Sequence, residues 1–202
     1  EAGGEKFSRA IITTDSKTKN ICIEVKTSKG IFKIGGVAKG SGMVHPKMGT
    51  MLGYITTDAL VDSKTLTDTL RKSVDISFNQ IDIDGDTSTN DTVIIMANGM
   101  SGQEIKSETD KKIFSEATDY VSKFLARLIA EDGEGISHLI TTEDAGAIND
   151  DDALKLTKAI ATYRAPLIAV EREFPDLVGT AKKNKMREYQ NDAMKTIESL
   201  EG

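Results

Sequence analysis

A glycine-rich loop at residues 39–52 constrains the fold of this chain more than any other stretch, because it leads directly into an apolar, strand-like run at 53–59. Inside the loop the small residue Gly49 precedes the hydroxyl residue Thr50. A threonine hydroxyl can attack the peptide bond before it, and cleavage there leaves an amine that can serve as base for the same hydroxyl. Thr50 is therefore a candidate for self-cleavage and catalysis. The ordinary alternative is a glycine turn whose threonine packs or caps.

Three runs before the loop are rich in isoleucine and valine and predict β-strands. They span residues 9–14, 20–26 and 31–37, with polar turns between them. Such short connections predict a hairpin or meander whose last strand leads into the glycine-rich loop.

After the glycine-rich loop, apolar residues recur at the spacing of an α-helix in two stretches. Residues 64–74 predict a helix capped by Ser63, and a buried strand is predicted at 92–97. The longest helical pattern covers residues 109–130. Its predicted apolar face consists of Ile113, Ala117, Tyr120, Val121, Phe124, Leu125 and Leu128.

The composition favours a soluble protein of the cytoplasm, or of the mitochondrial matrix in a eukaryote. The chain has 202 residues, and its net charge of −6 argues against nucleic acid or an anionic membrane as the main partner. No signal peptide or membrane-spanning run is visible. The one cysteine, Cys22, alternates with isoleucines, so we expect a buried thiol without an internal disulfide partner.

Two patterns that suggest bound ions fail on spacing. Asp82, Asp84 and Asp86 invite a calcium-loop interpretation, but glycine falls at the fourth position instead of the sixth, and valine stands at the twelfth. The two histidines, His45 and His138, lack neighbouring ligands at metal-binding spacing. The sequence therefore predicts no metal and no cofactor.

Lys39 opens the glycine-rich loop. Its ammonium group could neutralise a substrate carboxylate, and the backbone N–H groups of residues 40–42 could add to an anion-binding nest. The alternative is a solvated loop lysine, as most loop lysines are. A phosphate-binding loop is excluded because the order Gly-x-x-x-x-Gly-Lys-Ser/Thr is absent.

Three strings resemble, in order, the signatures of one family. Residues 39–59 read KGSGMVHPKMGTMLGYITTDA, residues 77–92 read SFNQIDIDGDTSTNDT, and residues 130–135 read AEDGEG. They resemble the processing-site region and two further motifs of the ornithine acetyltransferase family, the bifunctional glutamate N-acetyltransferases or ArgJ family. The resemblance covers roughly residues 8–162.

The resemblance implies which residues form the site. Family members cleave their chain before the threonine that matches Thr50, so Gly49 and Thr50 are the expected cleavage site and Thr50 the expected nucleophile. Substrate binding is implied for Thr13, Lys39 and Thr50.

A glutamate of the third string is also implied to bind substrate, through the substrate's amino group. Glu134 is the first choice and Glu131 the second. Acidic residues at the end of a helix oppose its dipole, which favours a functional role for this loop. The second string is implied to shape the site, and we assign no chemical step to Asn90 or Asp91.

The function implied by the resemblance is acetyl transfer in arginine biosynthesis, from N-acetylornithine to glutamate through an acetyl-threonine intermediate, after self-cleavage before Thr50. Two alternatives remain. One is a hydrolase that uses the same amino-terminal threonine with water as acceptor. The other is a non-catalytic relative that keeps the scaffold and binds a ligand or partner.

The fold implied by the resemblance is α/β, a layered sandwich of mixed β-sheets with outer helices, of the N-terminal-nucleophile-like ArgJ/DmpA type. Residues 1–165 form the expected core, in which a further strand at 136–142 and a helix at 150–162 are predicted. Residues 166–202 are expected to form a divergent, charged helical tail.

The expected partners are small-molecule substrates, with neither nucleic acid nor membrane, in an oligomer. The family's Thr-Gly pair for the oxyanion hole has no counterpart before Arg9, and its Gly-Glu-Asp-Pro-Asn-Trp-Gly-Arg segment is not matched near residues 170–177. We therefore expect the oxyanion hole to come from a separate amino-terminal chain or from a further segment of a longer parent chain.

Overall fold

The computed structural model describes residues 2–42, 44, 51–83, 89–136, 139–143, 147–150, 152–155 and 157–158. The chain divides into two compact units, 1–139 and 140–202. The boundary predicted after residue 165 lies outside the described residues and stays a prediction. No helix in the described part is both long and apolar enough to cross a membrane.

The first unit is built on one four-stranded sheet with the order β1-β2-β3-β4. Its strands are β1 (Lys19–Thr27), β2 (Gly30–Lys39), β3 (Leu52–Thr57) and β4 (Thr92–Ala97). The first two pairs of neighbours are antiparallel, and β3 and β4 run parallel. The predicted strands at 20–26, 31–37 and 92–97 are confirmed.

Helices lie on both faces of this sheet. Helix α1 is Ala2–Ile11, α2 is Ser63–Asp75 and α3 is Glu108–Ala130, with a short 3₁₀ helix at Phe78–Gln80. Helices α2 and α3 pack against each other and cover one face. Helix α1 lies on the opposite face, where the ring of Phe7 meets that of Tyr54 edge-on at 5.0 Å. The predicted α/β layered class is confirmed.

The core lies between the sheet and α3. Alternate residues of β2 and β3 point toward the helix, and Gly36 permits the closest approach, because a β-carbon there would lie 2.7 Å from Leu125 Cδ1 and 2.8 Å from Val121 Cγ1. The fully buried side chains of this layer include Phe32, Ile34, Ile55, Phe114, Val121, Leu125 and Ile129.

The strand predicted at 9–14 is wrong, because the chain is helical up to Ile11 and then bends. Arg9 forms an ion pair with Glu5 one turn earlier, at 2.6 Å, as residues four apart on a helix do. The two adjacent isoleucines suggested a strand, but residues 12–18 run as a loop whose polar groups bond to nearby side chains.

Two details of the predicted helices are also wrong. The cap of α2 is Asp62 instead of Ser63, since the Asp62 side chain accepts the backbone N–H of Thr65 at 2.9 Å. In α3 the predicted face is rotated, and Tyr120 and Phe124 are 57% and 37% exposed. The buried positions include Phe114, Thr118 and Ser122.

Small hydroxyl residues explain the rotated face of α3. Ser122 Oγ and Ser73 Oγ of α2 share a buried hydrogen bond at 3.0 Å, and Thr118 Oγ1 donates to Phe114 O at 2.8 Å. Their polar atoms are satisfied inside the interface, so they pack like small apolar residues. A pattern based on apolar residues alone misses them.

Four further expectations concern burial and residues 136–162. Strand β4 is half-exposed instead of buried, because it lies at the edge of the sheet. Cys22 is exposed instead of buried, since it points to the face opposite α3. The described residues of the strand predicted at 136–142 have no strand conformation, whereas those of the helix predicted at 150–162 are helical.

Candidate active site

The candidate site lies where β2 ends and β3 begins. Lys39, the last residue of β2, pairs with Leu52, the first residue of β3. Thr50 precedes Leu52 by two positions. Gly49 and Thr50 themselves lie outside the described residues, so their predicted roles stay predictions. The neighbouring Met51 is described and buried.

Lys39 and Thr13, both predicted to bind substrate, come together at this strand end. Lys39 is only 8% exposed, and its ammonium group donates to Thr13 Oγ1 at 3.4 Å. Among the residues that the structure describes, Lys39 forms no ion pair within 4.0 Å. A lysine ammonium buried without a paired carboxylate is costly unless a bound anion accompanies it. The arrangement suits a ligand carboxylate.

Glu134 is brought to the same place by its backbone. Its N–H donates to the carbonyl of Ser41 at 2.5 Å, and Ser41 Oγ shares a hydrogen bond of 2.6 Å with Thr14 Oγ1. The Glu134 side chain is exposed. Glu131, the second choice, instead pairs with Arg127 one helical turn earlier, at 2.7 Å. The geometry therefore favours Glu134 over Glu131 as the residue that faces a ligand.

A buried ion cluster connects the segments that carry these residues. The side chain of Lys19 has no exposed surface, and its ammonium group donates to Asp15 Oδ1 at 2.5 Å and to Asp132 Oδ2 at 2.6 Å. Asp15 also accepts the N–H of Gly40 at 2.7 Å, and Asp132 accepts the N–H of Ser16 at 3.1 Å. We call Lys19, Asp15 and Asp132 the buried triad.

The buried triad fixes three chain segments relative to one another. The loop at 12–18 carries Thr13, the end of β2 carries Lys39, and the turn after α3 carries Glu134. Gly40 allows the chain to leave β2 close to Asp15, because its φ of 152° is one that residues with L side chains rarely adopt. Three of the four predicted binding residues are therefore carried by segments that one electrostatic centre positions. Lys19 and Asp132 were not singled out from the sequence.

The pKa values of both aspartates in the triad reflect this environment. Burial raises the pKa of Asp15, but hydrogen bonds from Gly40 and Lys19 and the charge of Lys19 outweigh it, so the pKa lies below its ordinary value. Burial likewise raises the pKa of Asp132, and bonds from Lys19 and Ser16 reverse the shift. Both groups are therefore ionised at neutral pH.

Asp91 is a third residue that the sequence pattern did not single out for a role. Its Oδ1 accepts the backbone N–H of Met51 at 2.7 Å. Burial raises the pKa of Asp91, while the Met51 N–H and the positive charge of Lys39 partly oppose the rise. The sequence signal that could have identified Asp91 is its position in the second string, at residues 77–92.

In the described part of the chain, no group of three or more His, Cys, Asp or Glu could hold a metal ion.

The fold and the site together define an α/β layered protein in which a buried lysine ends one strand and pairs with the first residue of a central strand. The candidate nucleophile precedes that first residue by two positions in the sequence. The chain matches the family model described as "ArgJ family" over residues 1–170. It therefore belongs to the ArgJ family, and the predicted resemblance is confirmed.

Named relatives agree with this membership. The "Arginine biosynthesis bifunctional protein ArgJ" of Shouchella clausii is 47% identical over 156 residues, which are 76% of this chain and 38% of that protein. The protein of the same name from Bacillus subtilis is 47% identical over 161 residues, which are 79% of this chain and 40% of that one. The chain thus spans less than half the length of these relatives.

A solved structure shows the same similarity in three dimensions. The crystal structure of the arginine biosynthesis bifunctional protein argJ from Bacillus halodurans superposes with a TM-score of 0.56 at 32% identity. The superposition covers 71% of this chain and 66% of that one. The overlap supports the α/β layered fold.

The buried triad generates a stability prediction. Replacing Lys19 with methionine leaves two buried carboxylates without their cation, and removing one partner of a buried ion cluster typically costs about 3–5 kcal/mol. We expect Lys19→Met to lose that much free energy of unfolding in urea denaturation at pH 7. Lys17→Met changes an exposed lysine two positions away and should stay within about 0.5 kcal/mol of the original chain. Equal stability of the two variants would contradict the role of the triad.

A pH dependence follows from the lowered pKa values of Asp15 and Asp132. Their stabilising contribution is complete above the unfolded value of 3.8 and is lost as the pH falls through their folded pKa values. In Lys19→Met the unpaired carboxyls should protonate more readily. We expect the difference in unfolding free energy between the original chain and the variant to shrink from pH 6 to about pH 3. Urea titrations across that range measure it, and a constant difference would argue against the assignment.

Proposed function

We propose that this chain is the nucleophile-bearing part of an acetyltransferase of arginine biosynthesis, which transfers an acetyl group from N-acetylornithine to glutamate. The observation that supports it best is the buried Lys39 ammonium beside Thr13, at the strand end that pairs with Leu52. Thr50 lies two positions before Leu52 in the sequence. A carboxylate-binding cation at the strand end that the candidate nucleophile precedes in sequence suits an N-acetyl amino acid.

Activation of the nucleophile begins with self-cleavage. The Thr50 hydroxyl attacks the carbonyl carbon of Gly49, the peptide C–N bond breaks, and an ester to Thr50 forms. Water then hydrolyses the ester, which releases the Gly49 carboxylate and leaves Thr50 with a free α-amine. That amine is the base that the hydroxyl needs.

Acetyl transfer then proceeds in two half-reactions. The Thr50 hydroxyl attacks the acetyl carbonyl of N-acetylornithine while the α-amine takes the proton, and ornithine leaves with that proton on its amine. The amine of glutamate attacks the acetyl-threonine ester in the second half and regenerates the hydroxyl. Both steps pass through a tetrahedral oxyanion that needs hydrogen-bond donors.

Each binding residue has a role in this proposal. Lys39 neutralises the α-carboxylate of the substrate, Thr13 hydrogen-bonds beside it, and Glu134 binds an amino group of the substrate. Another segment of a longer chain, or a separate amino-terminal chain, supplies the oxyanion hole, in an oligomer that acts on small molecules in the cytoplasm.

Self-cleavage tests the proposal at its first step. We expect intact-mass measurement and amino-terminal sequencing of purified protein to show two fragments separated between Gly49 and Thr50. Thr50→Ala lacks the hydroxyl and should remain a single chain. Thr56→Ala, at an exposed position of β3, serves as the control and should be cleaved normally.

The outcomes separate the alternatives. Cleavage that depends on Thr50, followed by acetylation of glutamate, supports the transferase. Release of acetate from N-acetylornithine without glutamate would indicate a hydrolase instead. A chain that stays uncut, with N-acetylornithine binding unaffected by Thr50→Ala, would indicate a non-catalytic binding protein and would contradict the proposal.

A further inference from the structure

The backbone of Met51 is held on both sides by Asp91, which precedes strand β4, and by Thr92, the first residue of that strand. Its N–H donates to the carboxylate of Asp91 at 2.7 Å, and its carbonyl accepts the N–H of Thr92 at 3.2 Å. Regular pairing of β3 with β4 begins one residue later, between Leu52 and Thr92. The Asp91 side chain therefore extends the parallel ladder by one position, toward Thr50.

The extra bond has a covalent consequence for the residue before Met51. The N–H of Met51 belongs to the peptide unit that joins it to Thr50, and a peptide unit is planar. Holding that N–H and the Met51 carbonyl restricts where the preceding α-carbon can lie. That α-carbon belongs to the candidate nucleophile: it carries the amine, and the β-carbon attached to it carries the hydroxyl.

Charge makes this bond stronger than an ordinary ladder bond. A carboxylate that accepts a backbone N–H forms a charge-assisted hydrogen bond, about twice as strong as a neutral one. The positive charge of Lys39 also acts on Asp91 and favours its ionised form, against the effect of burial. The same lysine that suits a substrate carboxylate thereby supports the hydrogen bond at Met51.

We propose that Asp91 is the positioning residue for the nucleophile, because its carboxylate fixes the peptide unit between Thr50 and Met51. This inference rests on the proposed function. Asp91 takes no proton and forms no bond to the substrate. It keeps the Thr50 hydroxyl in line with the Gly49 carbonyl before cleavage and with the acetyl carbonyl afterwards, where a misplacement of about 1 Å can cost on the order of a hundredfold in rate.

The test compares two substitutions of Asp91 with a control substitution just past the other end of β3. Asp91→Ala removes the acceptor, whereas Asp91→Asn keeps an amide oxygen that can accept the Met51 N–H. Asp58→Ala is the control, because Asp58 accepts the N–H of Lys33 through its carboxylate, also at 2.7 Å, just past the opposite end of β3. It removes an equivalent hydrogen bond at the end of β3 away from Met51.

The primary measurement is the rate of cleavage between Gly49 and Thr50, followed by intact mass. We expect Asp91→Ala to be slowed roughly tenfold to a hundredfold, Asp91→Asn to recover most of the rate, and Asp58→Ala to match the original chain. In acetyl transfer, kcat should fall in Asp91→Ala while KM for N-acetylornithine stays within about twofold. Normal cleavage of Asp91→Ala, or an Asp91→Asn variant as slow as Asp91→Ala, would overturn the inference.

Hydrogen exchange at the Met51 amide separates this inference from the proposed function. We expect the amide to be protected in the original chain and in Asp91→Asn and to exchange faster in Asp91→Ala. An original chain that is never cleaved counts against the proposed function. Equal protection of Met51 in Asp91→Ala and in the original chain overturns the role of Asp91, whether or not cleavage occurs.

Discussion

The buried contact of Lys19 with Asp15 and Asp132 is the interaction on which the site depends. The lysine has no exposed surface. Its two partners are far apart in the sequence, because Asp15 lies in the loop before β1 and Asp132 lies in the turn after α3. Ions taken out of water are stable only when they are paired and hydrogen-bonded, so the cluster tolerates little displacement. The segments that carry Thr13, Lys39 and Glu134 are therefore held in one arrangement.

The sheet supplies the second constraint. Strand β3 lies between an antiparallel neighbour that ends at Lys39 and a parallel neighbour that is preceded by Asp91. The buried triad fixes the first neighbour through Gly40, and Asp91 fixes the start of β3 through Met51. The candidate nucleophile thus precedes a strand whose beginning is set from both sides.

Local patterns in the sequence predicted most of the fold but few of its long-range contacts. Alternating isoleucines identified β1 and β2, and the 3.6-residue period identified α2 and α3. The prediction of a strand at 9–14 was wrong because a pair of isoleucines is also compatible with the end of a helix. Lys19 and Asp132 are 113 positions apart, so no local pattern joins them. The sequence assigned no chemical step to Asp91, because a side chain that extends a ladder has no periodicity.

The most direct test of this account is the chemical identity of the reaction intermediate. We would incubate the protein with N-acetylornithine in the absence of glutamate, quench with acid, and map the acetyl group by peptide mass spectrometry. The account predicts one acetyl group as an ester on Thr50, which disappears when glutamate is added. Acetylation at another residue, or acetylglutamate formed without any acetyl-Thr50, would contradict it.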